Sequence, residues 1–236
     1  MYKQYADRYT IVKLKRVHNI GETRNAIVRY ARKKGWHHLF MLDDDIQQLD
    51  FMVPSVTKNG VKAMRTWSSI KAQRTSLNKY AFKMWQYIVT PYLDEVAIST
   101  PFLRQFTWHP RYANAEPKCN VGQPIQCVHL NLDLLNEYDI NYQSSDICGV
   151  EDYAITYECY RHGLKTLQIP DITYNCPAVG TGEGGCELNE EIAEERIRLF
   201  MENVVAPEDK HKFSIKTSKS GMKSVKFLMK YFSEDA

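Results

Sequence analysis

Three consecutive carboxylates follow a compact apolar run, and this arrangement constrains the chain more than any other feature. The run His38–Leu42 is typical of a buried parallel strand. Side chains i and i+2 of an extended segment share a face, so Asp43 and Asp45 point one way and Asp44 the other. Like charges about 4 Å apart repel by about 4 kcal/mol at a protein-like dielectric, which predicts a positive partner.

The position and chemistry of this run favour a metal site. Ligands of open α/β sheets bind beyond the carboxyl ends of the strands. Carboxylate oxygens suit a hard divalent cation that keeps positions free for water and substrate phosphates. A solvent-facing acidic loop is the alternative interpretation.

The surrounding pattern predicts an α/β domain, for which 236 residues suffice. A strand over Tyr9–Leu14, a helix capped by Thr23 and ended by Gly35, and the strand His38–Leu42 would form a βαβ unit. Further helices are predicted over 75–89, 151–162 and 188–204, and further strands over 96–99, 125–130 and 166–169, the last stopped by Pro170. We also expect a glycine-rich loop over 177–185 and a basic β-hairpin over 212–228.

Charge is segregated along the chain, although the formal net charge is only +3. Residues 51–93 contain seven basic side chains and no acid, and residues 210–230 contain seven lysines and no acid. The rest of the chain is acidic. Two acid-free basic segments indicate a polyanionic partner, with solvated surface faces as the alternative.

Other features of the sequence indicate the cellular compartment of the protein. No apolar stretch is long enough to span a bilayer, and no apolar signal segment follows Met1. The six cysteines form no C-x-x-C pair and are expected to be free thiols. These features predict a protein without a membrane partner in a reducing cytoplasm.

Two further groups of polar residues lie at predicted helix starts. The stretch Gly21–Asn25 includes Arg24 and suits an anionic diphosphate or a partner Asp, or it is a simple capped helix. Glu151 and Asp152 are favoured at a helix start by about 0.3–1 kcal/mol, so capping explains them fully. The functional alternative is a general base that accepts the proton of an acceptor hydroxyl.

The histidines show no metal-ligand spacing such as H-x-x-x-H. His211, in the basic C-terminal part, could close over the acidic site and is our candidate for a third metal ligand.

The order of these motifs resembles GT-A glycosyltransferases. The donor half is matched by Gly21-x-x-Arg24-Asn25, a helix, and Leu39–Asp45. The second half is matched by Cys127–Asn131, Glu151–Tyr153, Tyr160–Gly163 and Ile169–Asp171. Within that superfamily the chain is most similar to the TET/J-binding-protein-associated glycosyltransferases of phages and eukaryotes. The resemblance covers roughly residues 9–176.

The resemblance implies a single GT-A-like α/β domain over residues 1–205 that is shortened at its N-terminus. Its mostly parallel central sheet would be flanked by helices, and a basic extension would follow over residues 206–236. The implied donor is a nucleotide sugar, with a UDP-sugar expected, held by Mn²⁺ or Mg²⁺. The implied acceptor is a hydroxymethylated pyrimidine in DNA, contacted through the basic segments 58–83 and 210–230. A phage-encoded protein would act in the host cytoplasm.

The resemblance also assigns roles to residues. Asp45 and Asp43 would hold the metal, and Asp43 would also face the nucleotide ribose. Asp152, with Glu151 beside it, would be the catalytic base. The remaining donor-binding residues would be Gly21, Arg24, Asn25 and Asp44.

Two departures from the superfamily pattern keep alternatives open. Only twenty residues precede Gly21, where a further strand and helix usually carry part of the base-binding pocket. The superfamily often supplies a metal-binding His where this sequence has Thr173–Cys176. The alternatives are a glycosyltransferase acting on protein or polysaccharide, a catalytically impaired DNA-binding relative, and a metal-dependent nuclease.

Overall fold

The structure is a computed structural model that describes residues 10–14, 17–56, 58–60, 62–66, 79–103, 118–119, 126–144, 149–176, 189–218 and 221–232. Its helices are α1 Ile20–Lys33, α2 Lys79–Val89, α3 Leu132–Glu137, α4 Val150–Arg161 and α5 Glu190–Leu199. Its strands are β1 His38–Leu42, β2 Gln48–Val56, β3 Lys62–Thr66, β4 Val96–Leu103, β5 Lys118–Cys119, β6 Cys127–Asn131, β7 Lys165–Asn175, β8 Phe213–Thr217 and β9 Lys223–Phe227. Among the described residues, no helix combines the length and the apolar character that a bilayer crossing requires.

Seven strands form one mixed sheet in the order β1-β6-β4-β7-β2-β3, with β5 paired to β7. The pair β4–β7 is parallel, and every other pair in the described part of this sheet is antiparallel. The α/β class is therefore confirmed, but the prediction of a mostly parallel sheet is wrong. An apolar strand can be buried on both faces in either pairing direction, so its composition does not fix the direction.

Helices cover the two faces of this sheet. Leu39 of β1 packs in a core cluster with Val28 and Ala31 of α1, together with residues of α3 and α4. The next residue, Phe40, packs on the other face with Ala81 and Trp85 of α2. Because successive side chains of β1 enter opposite cores, the strand is covered on both sides, as its apolar run predicts.

The strand that carries Pro170 differs from its prediction. β7 continues through Pro170 to Asn175 rather than stopping at residue 169. Along β4, Pro101 pairs with Ile169 and Phe102 pairs with Thr173, so residues 170–172 bulge out of the parallel pairing. A bulge accommodates a proline because its missing N–H is not needed there.

Two other predictions differ near the N-terminus. Residues 10–14 form no regular element, so the predicted βαβ unit is wrong in its first strand, and Tyr9 lies outside the described residues. α1 starts at Ile20 because the Asn19 side chain, rather than Thr23, accepts the N-cap bond from the Glu22 N–H at 2.9 Å. The predicted loop 177–185 and the start of the predicted helix 75–89 also lie outside the described residues.

The predicted C-terminal hairpin is confirmed as the antiparallel pair β8–β9. It packs against α4 and α5 through a third core cluster, which includes Tyr153, Tyr157, Phe200, Phe213 and Phe227. The predicted domain boundary at residue 206 stays a prediction. The aromatic cluster nonetheless joins the hairpin to the helix that begins with the predicted catalytic residues.

Candidate functional site

Arg24 of α1 lies among three carboxylates and is only 7% exposed to solvent. Its Nη1 donates to Asp152 Oδ1 and, at 3.3 Å, to Glu151 Oε1, while its Nη2 donates to Asp43 Oδ1 at 3.4 Å. We call these four residues the Arg24 cluster. Arg24 thereby joins the end of β1 to the first turn of α4, whose Glu151 and Asp152 lie 127 and 128 residues after Arg24 in the sequence. The structure therefore brings together residues that the sequence motifs assigned to one site.

The face of α1 that carries Arg24 is fixed against the segment after α3. The Asn25 side chain donates from Nδ2 to the Tyr142 carbonyl at 2.6 Å and accepts the Tyr142 N–H at 3.0 Å. A Cβ at Gly21 would overlap the carbonyl oxygen of Gln143, so only glycine allows this approach. The Tyr142 ring then lies 5.5 Å from the Arg24 Cζ atom. The described contacts of Gly21 and Asn25 position Arg24, and their predicted contact with a donor stays a prediction.

The first turn of α4 depends on a second close approach. Gly149 has φ +86°, and its N–H donates to Glu151 Oε2 at 2.8 Å. The guanidinium of Arg196 packs directly against Gly149 and lies 5.5 Å from the centre of the Tyr153 ring. A left-handed glycine without a Cβ is required at this position. Glu151 is thereby held between Arg24 and the backbone of its own helix start.

Burial and charge oppose each other inside the cluster. The pKa of Asp152 is raised to about 7 by the sum of these effects: burial is the largest cause, Arg24 opposes the rise, and Glu151 and Asp43 add to it. Burial also raises the pKa of Asp43, again against the effect of Arg24 and with a contribution from Asp45. Burial lowers the pKa of the Arg24 guanidinium, but the neighbouring carboxylates outweigh it and raise the pKa above its ordinary value. One guanidinium cannot neutralise three carboxylates, so the site retains excess negative charge.

The cluster opens to solvent at the end of β1. The Glu151 and Asp152 side chains are buried, whereas the Asp43 side chain is 32% exposed and Asp44 and Asp45 are exposed. A ligand from solvent would therefore meet the aspartates after β1 first.

Three strands meet at this open edge. The Asp43 N–H donates to the Gln126 carbonyl at 2.8 Å, next to β6. The Cys176 thiol donates to Gln126 Oε1 at 3.1 Å, beyond the end of β7. Sequence reasoning missed Gln126 and Cys176 because neither belongs to a recognisable motif. Asp45 contributes to a raised pKa of the Cys176 thiol, after the larger effect of burial, which indicates that the two side chains are neighbours.

The donor set at the open edge is chemically suited to a hard divalent cation. Asp43 and Asp45 offer carboxylate oxygens, and Asp43 Oδ1 also contacts Arg24. The described residues contain no group of three His, Cys, Asp or Glu side chains arranged to hold a metal ion. Residues 44–45 form a turn, with the Ile46 N–H donating to the Asp43 carbonyl at 3.3 Å, so the prediction that an extended segment puts Asp43 and Asp45 on one face is wrong. The fit to a cation is thus one of donor chemistry alone, in which these two carboxylates would be the protein ligands.

The other candidate residues lie elsewhere. His211 lies in the 3₁₀ turn Pro207–Lys212, with its ring 5.1 Å from that of Tyr231. Its role as a third metal ligand stays a prediction. In the first basic segment Lys58 and Lys83 are exposed, and Lys71 and Arg74 lie outside the described residues. Three cysteines are confirmed as free thiols: Cys127, Cys159 and Cys176.

Comparisons of the chain with protein-family models, with curated proteins and with solved structures found no match.

Proposed function

We propose that the protein is a metal-dependent glycosyltransferase that moves a sugar from a nucleotide-sugar donor to a hydroxymethylated pyrimidine in DNA. The observation that carries this proposal is the Arg24 cluster. In it the aspartate expected to contact the donor, Asp43, and the expected base, Asp152, bind one buried arginine. The end of β1 and the start of α4, which are distant in sequence, thus lie together beside an open acidic edge.

The proposed reaction is a displacement at the anomeric carbon of the sugar. The acceptor hydroxyl oxygen forms a bond to that carbon, and the bond from the carbon to the diphosphate oxygen breaks. The diphosphate leaves with the electron pair, and the hydroxyl proton passes to the Asp152 carboxylate. A direct displacement inverts the configuration at the anomeric carbon.

The environment of Asp152 suits a general base. A carboxylate with a pKa near the working pH combines a useful ionised fraction with enough basicity to accept a proton. Arg24 donates to this carboxylate and fixes its orientation. Because Asp152 is buried and Asp43 is partly exposed, the proposal has the acceptor approach Asp152 from the side of Asp43.

The exposed aspartates would serve the donor. When bound, a divalent cation supplies positive charge that stabilises the departing diphosphate. Asp45 and Asp43 are the residues that would hold it, because both are at least partly exposed and their charges interact. The excess negative charge of the cluster favours a cation at this edge.

A second candidate is a DNA-binding relative without catalysis. It is favoured by the internal pairing of the carboxylates with Arg24 and by the absence of a three-ligand group among the described residues. This candidate predicts salt-sensitive DNA binding and no thermal stabilisation by any nucleotide sugar with Mn²⁺.

A screen of nucleotide sugars separates these candidates. Each donor is incubated with the protein and Mn²⁺, with DNA that contains hydroxymethyluracil, hydroxymethylcytosine or neither, and the DNA is analysed by mass spectrometry. The proposal predicts a sugar-sized mass increase only on hydroxymethylated DNA. No mass increase on any DNA would favour the DNA-binding relative without catalysis. Transfer to a protein or polysaccharide acceptor in parallel reactions would contradict the assigned acceptor, and loss of unmodified DNA without any sugar nucleotide would indicate a nuclease.

A further inference from the structure

The C-terminal hairpin has two chemically different faces. Ser214 pairs with Lys226 and Lys216 pairs with Ser224 in the β8–β9 register. Paired residues share a face, and so do residues two apart along a strand, so these four side chains lie together. We call this lysine and serine surface the outer face.

The opposite face of the hairpin packs against the protein core through three of its residues. Phe213 and Val225 are buried in the third core cluster, and Phe227 packs against it. The ring of Phe213 lies 5.6 Å from that of Tyr157, and the ring of Phe227 lies 6.3 Å from that of Tyr153. Both tyrosines belong to α4, so the hairpin rests on the helix whose first turn carries Glu151 and Asp152.

Some lysines of this segment have structural partners. Lys223 pairs with Glu194 of α5, and Lys212 pairs with Asp209 at 2.8 Å. The Asp209 side chain is only 13% exposed and also accepts the Tyr157 hydroxyl at 2.8 Å. Asp209, the acid directly before the basic segment, is therefore largely buried and already paired with Lys212.

The lysines of the outer face form no such ion pairs with the described residues. Lys216 and Lys226 are exposed and form no ion pair with any described residue. Lys210 and Lys230 are also exposed, and residues 210–230 contain no acid. The outer face thus presents ammonium and hydroxyl groups on a framework that the aromatic core holds in place.

We propose that the outer face of the hairpin binds the phosphate backbone of DNA, an inference that rests on the proposed function for its choice of partner. Lysine ammonium groups act as point-charge donors to phosphate, and serine hydroxyls donate to the same oxygens. Diagonal neighbours such as Lys216 and Lys226 lie roughly 7–8 Å apart, so each can contact a separate phosphate. Such contacts orient the duplex without reading its sequence. Because the hairpin rests on α4, a duplex held there is positioned relative to Asp152.

The test compares two variants of the full chain that lose the same charge. In the first, Lys216→Gln is combined with Lys226→Gln, and in the control, Lys33→Gln is combined with Lys34→Gln at the exposed end of α1. Binding to a 20-base-pair duplex is measured by fluorescence anisotropy over a series of salt concentrations. The slope of log K against log salt is negative, and each lost phosphate contact reduces its magnitude by about 0.9, so the slope of the hairpin variant should be smaller in magnitude by about 2. The control should keep the wild-type slope.

Several outcomes decide the matter. Equal slopes for the hairpin variant and wild type would overturn the inference, and so would equal losses in both variants. Stronger binding to heparin or to an acidic protein than to the duplex would overturn DNA as the partner.

A transfer assay separates this inference from the proposed function. The hairpin variant should raise KM for hydroxymethylated DNA and leave transfer to a free hydroxymethylated nucleoside unchanged. Wild-type transfer to DNA with an unchanged KM in the hairpin variant would overturn the inference alone. DNA binding through the hairpin without any sugar transfer would leave the inference standing and contradict the proposed function.

Discussion

Replacing Asp152 with asparagine tests the electrostatics of the Arg24 cluster most sharply. Asparagine keeps the size of the side chain and an oxygen that can accept from Arg24, but it carries no charge. Burial raises the pKa of Asp152 from its ordinary value of 3.8 to about 7. The folded protein therefore binds a proton more tightly than the unfolded chain does between these two values. The stability from this group is fully present below pH 3.8 and is lost as the pH rises toward 7.

The size of the effect follows from the shift. Each pKa unit corresponds to about 1.4 kcal/mol, so two units between pH 5 and pH 7 correspond to about 3 kcal/mol. That is a large part of the 5–15 kcal/mol by which a typical domain is stable. Asp152→Asn removes the titrating group. Between pH 5 and pH 7 the free energy of unfolding of the variant should therefore fall by about 3 kcal/mol less than that of wild type.

The assay is urea unfolding of wild type and Asp152→Asn at pH 5, 6, 7 and 8. The control is Asp133→Asn, since the Asp133 side chain is 67% exposed and its ion-pair partner among the described residues is the exposed His37. The control should follow the wild-type curve. If Asp152→Asn lost as much stability as wild type between pH 5 and pH 8, the burial of an ionisable carboxyl in the Arg24 cluster would be refuted.

Three further predictions concern the framework of the site and the sheet beneath it. Gly21→Ala should lower the melting temperature in a thermal unfolding scan, because its Cβ would overlap the Gln143 carbonyl, and an unchanged melting temperature would contradict that close approach. Gly149→Ala should destabilise the protein by about 1–3 kcal/mol in urea, because φ there is +86° and Arg196 occupies the space of a Cβ. Burial lowers the pKa of His129 to about 3, so stability is lost as the pH falls below 6.5. Between pH 6.5 and pH 5, the free energy of unfolding of His129→Gln in urea should fall by about 2 kcal/mol less than that of wild type. An equal fall in both proteins would show that His129 is not buried in its neutral form.

The sequence predicted the proximity of Arg24, Asp43 and Asp152 better than it predicted the strand directions of the sheet. Arg24, Asp43 and Asp152 were assigned to one site from helix and strand ends and from a resemblance, and the structure joins them through hydrogen bonds. Helix starts and strand ends are marked by local signals, such as the acids after β1 and the glycine before α4. Contacts between such ends follow once the elements share a sheet edge.

Strand direction could not be predicted in the same way. Each face of β1 is covered by a helix layer, and an apolar run reports that burial but not the pairing partner. β6 lies between β1 and β4 and runs against both, a choice made by long-range packing. The bulge at Pro170 likewise depends on the register of β4, which no local signal in β7 encodes.

The supporting residues were missed for a similar reason. Tyr142 contacts Arg24 and Asn25 from a segment with no motif, and Gln126 bonds both Asp43 and Cys176 from the residue before β6. Such residues act through single contacts of backbone groups, ring faces or amide side chains, and their types are common everywhere in proteins. Only the folded arrangement distinguishes them.

The most direct test of the proposed function is the release of nucleoside diphosphate from a UDP-sugar, with Mn²⁺ and hydroxymethylated DNA present. Wild type and Asp133→Asn should release diphosphate at the same rate, and chelation of the metal should stop both. Asp45→Ala, at an exposed position, should abolish release while keeping the wild-type melting temperature. Equal rates of release by wild type and Asp45→Ala would contradict the assignment of the metal and donor site to the aspartates after β1.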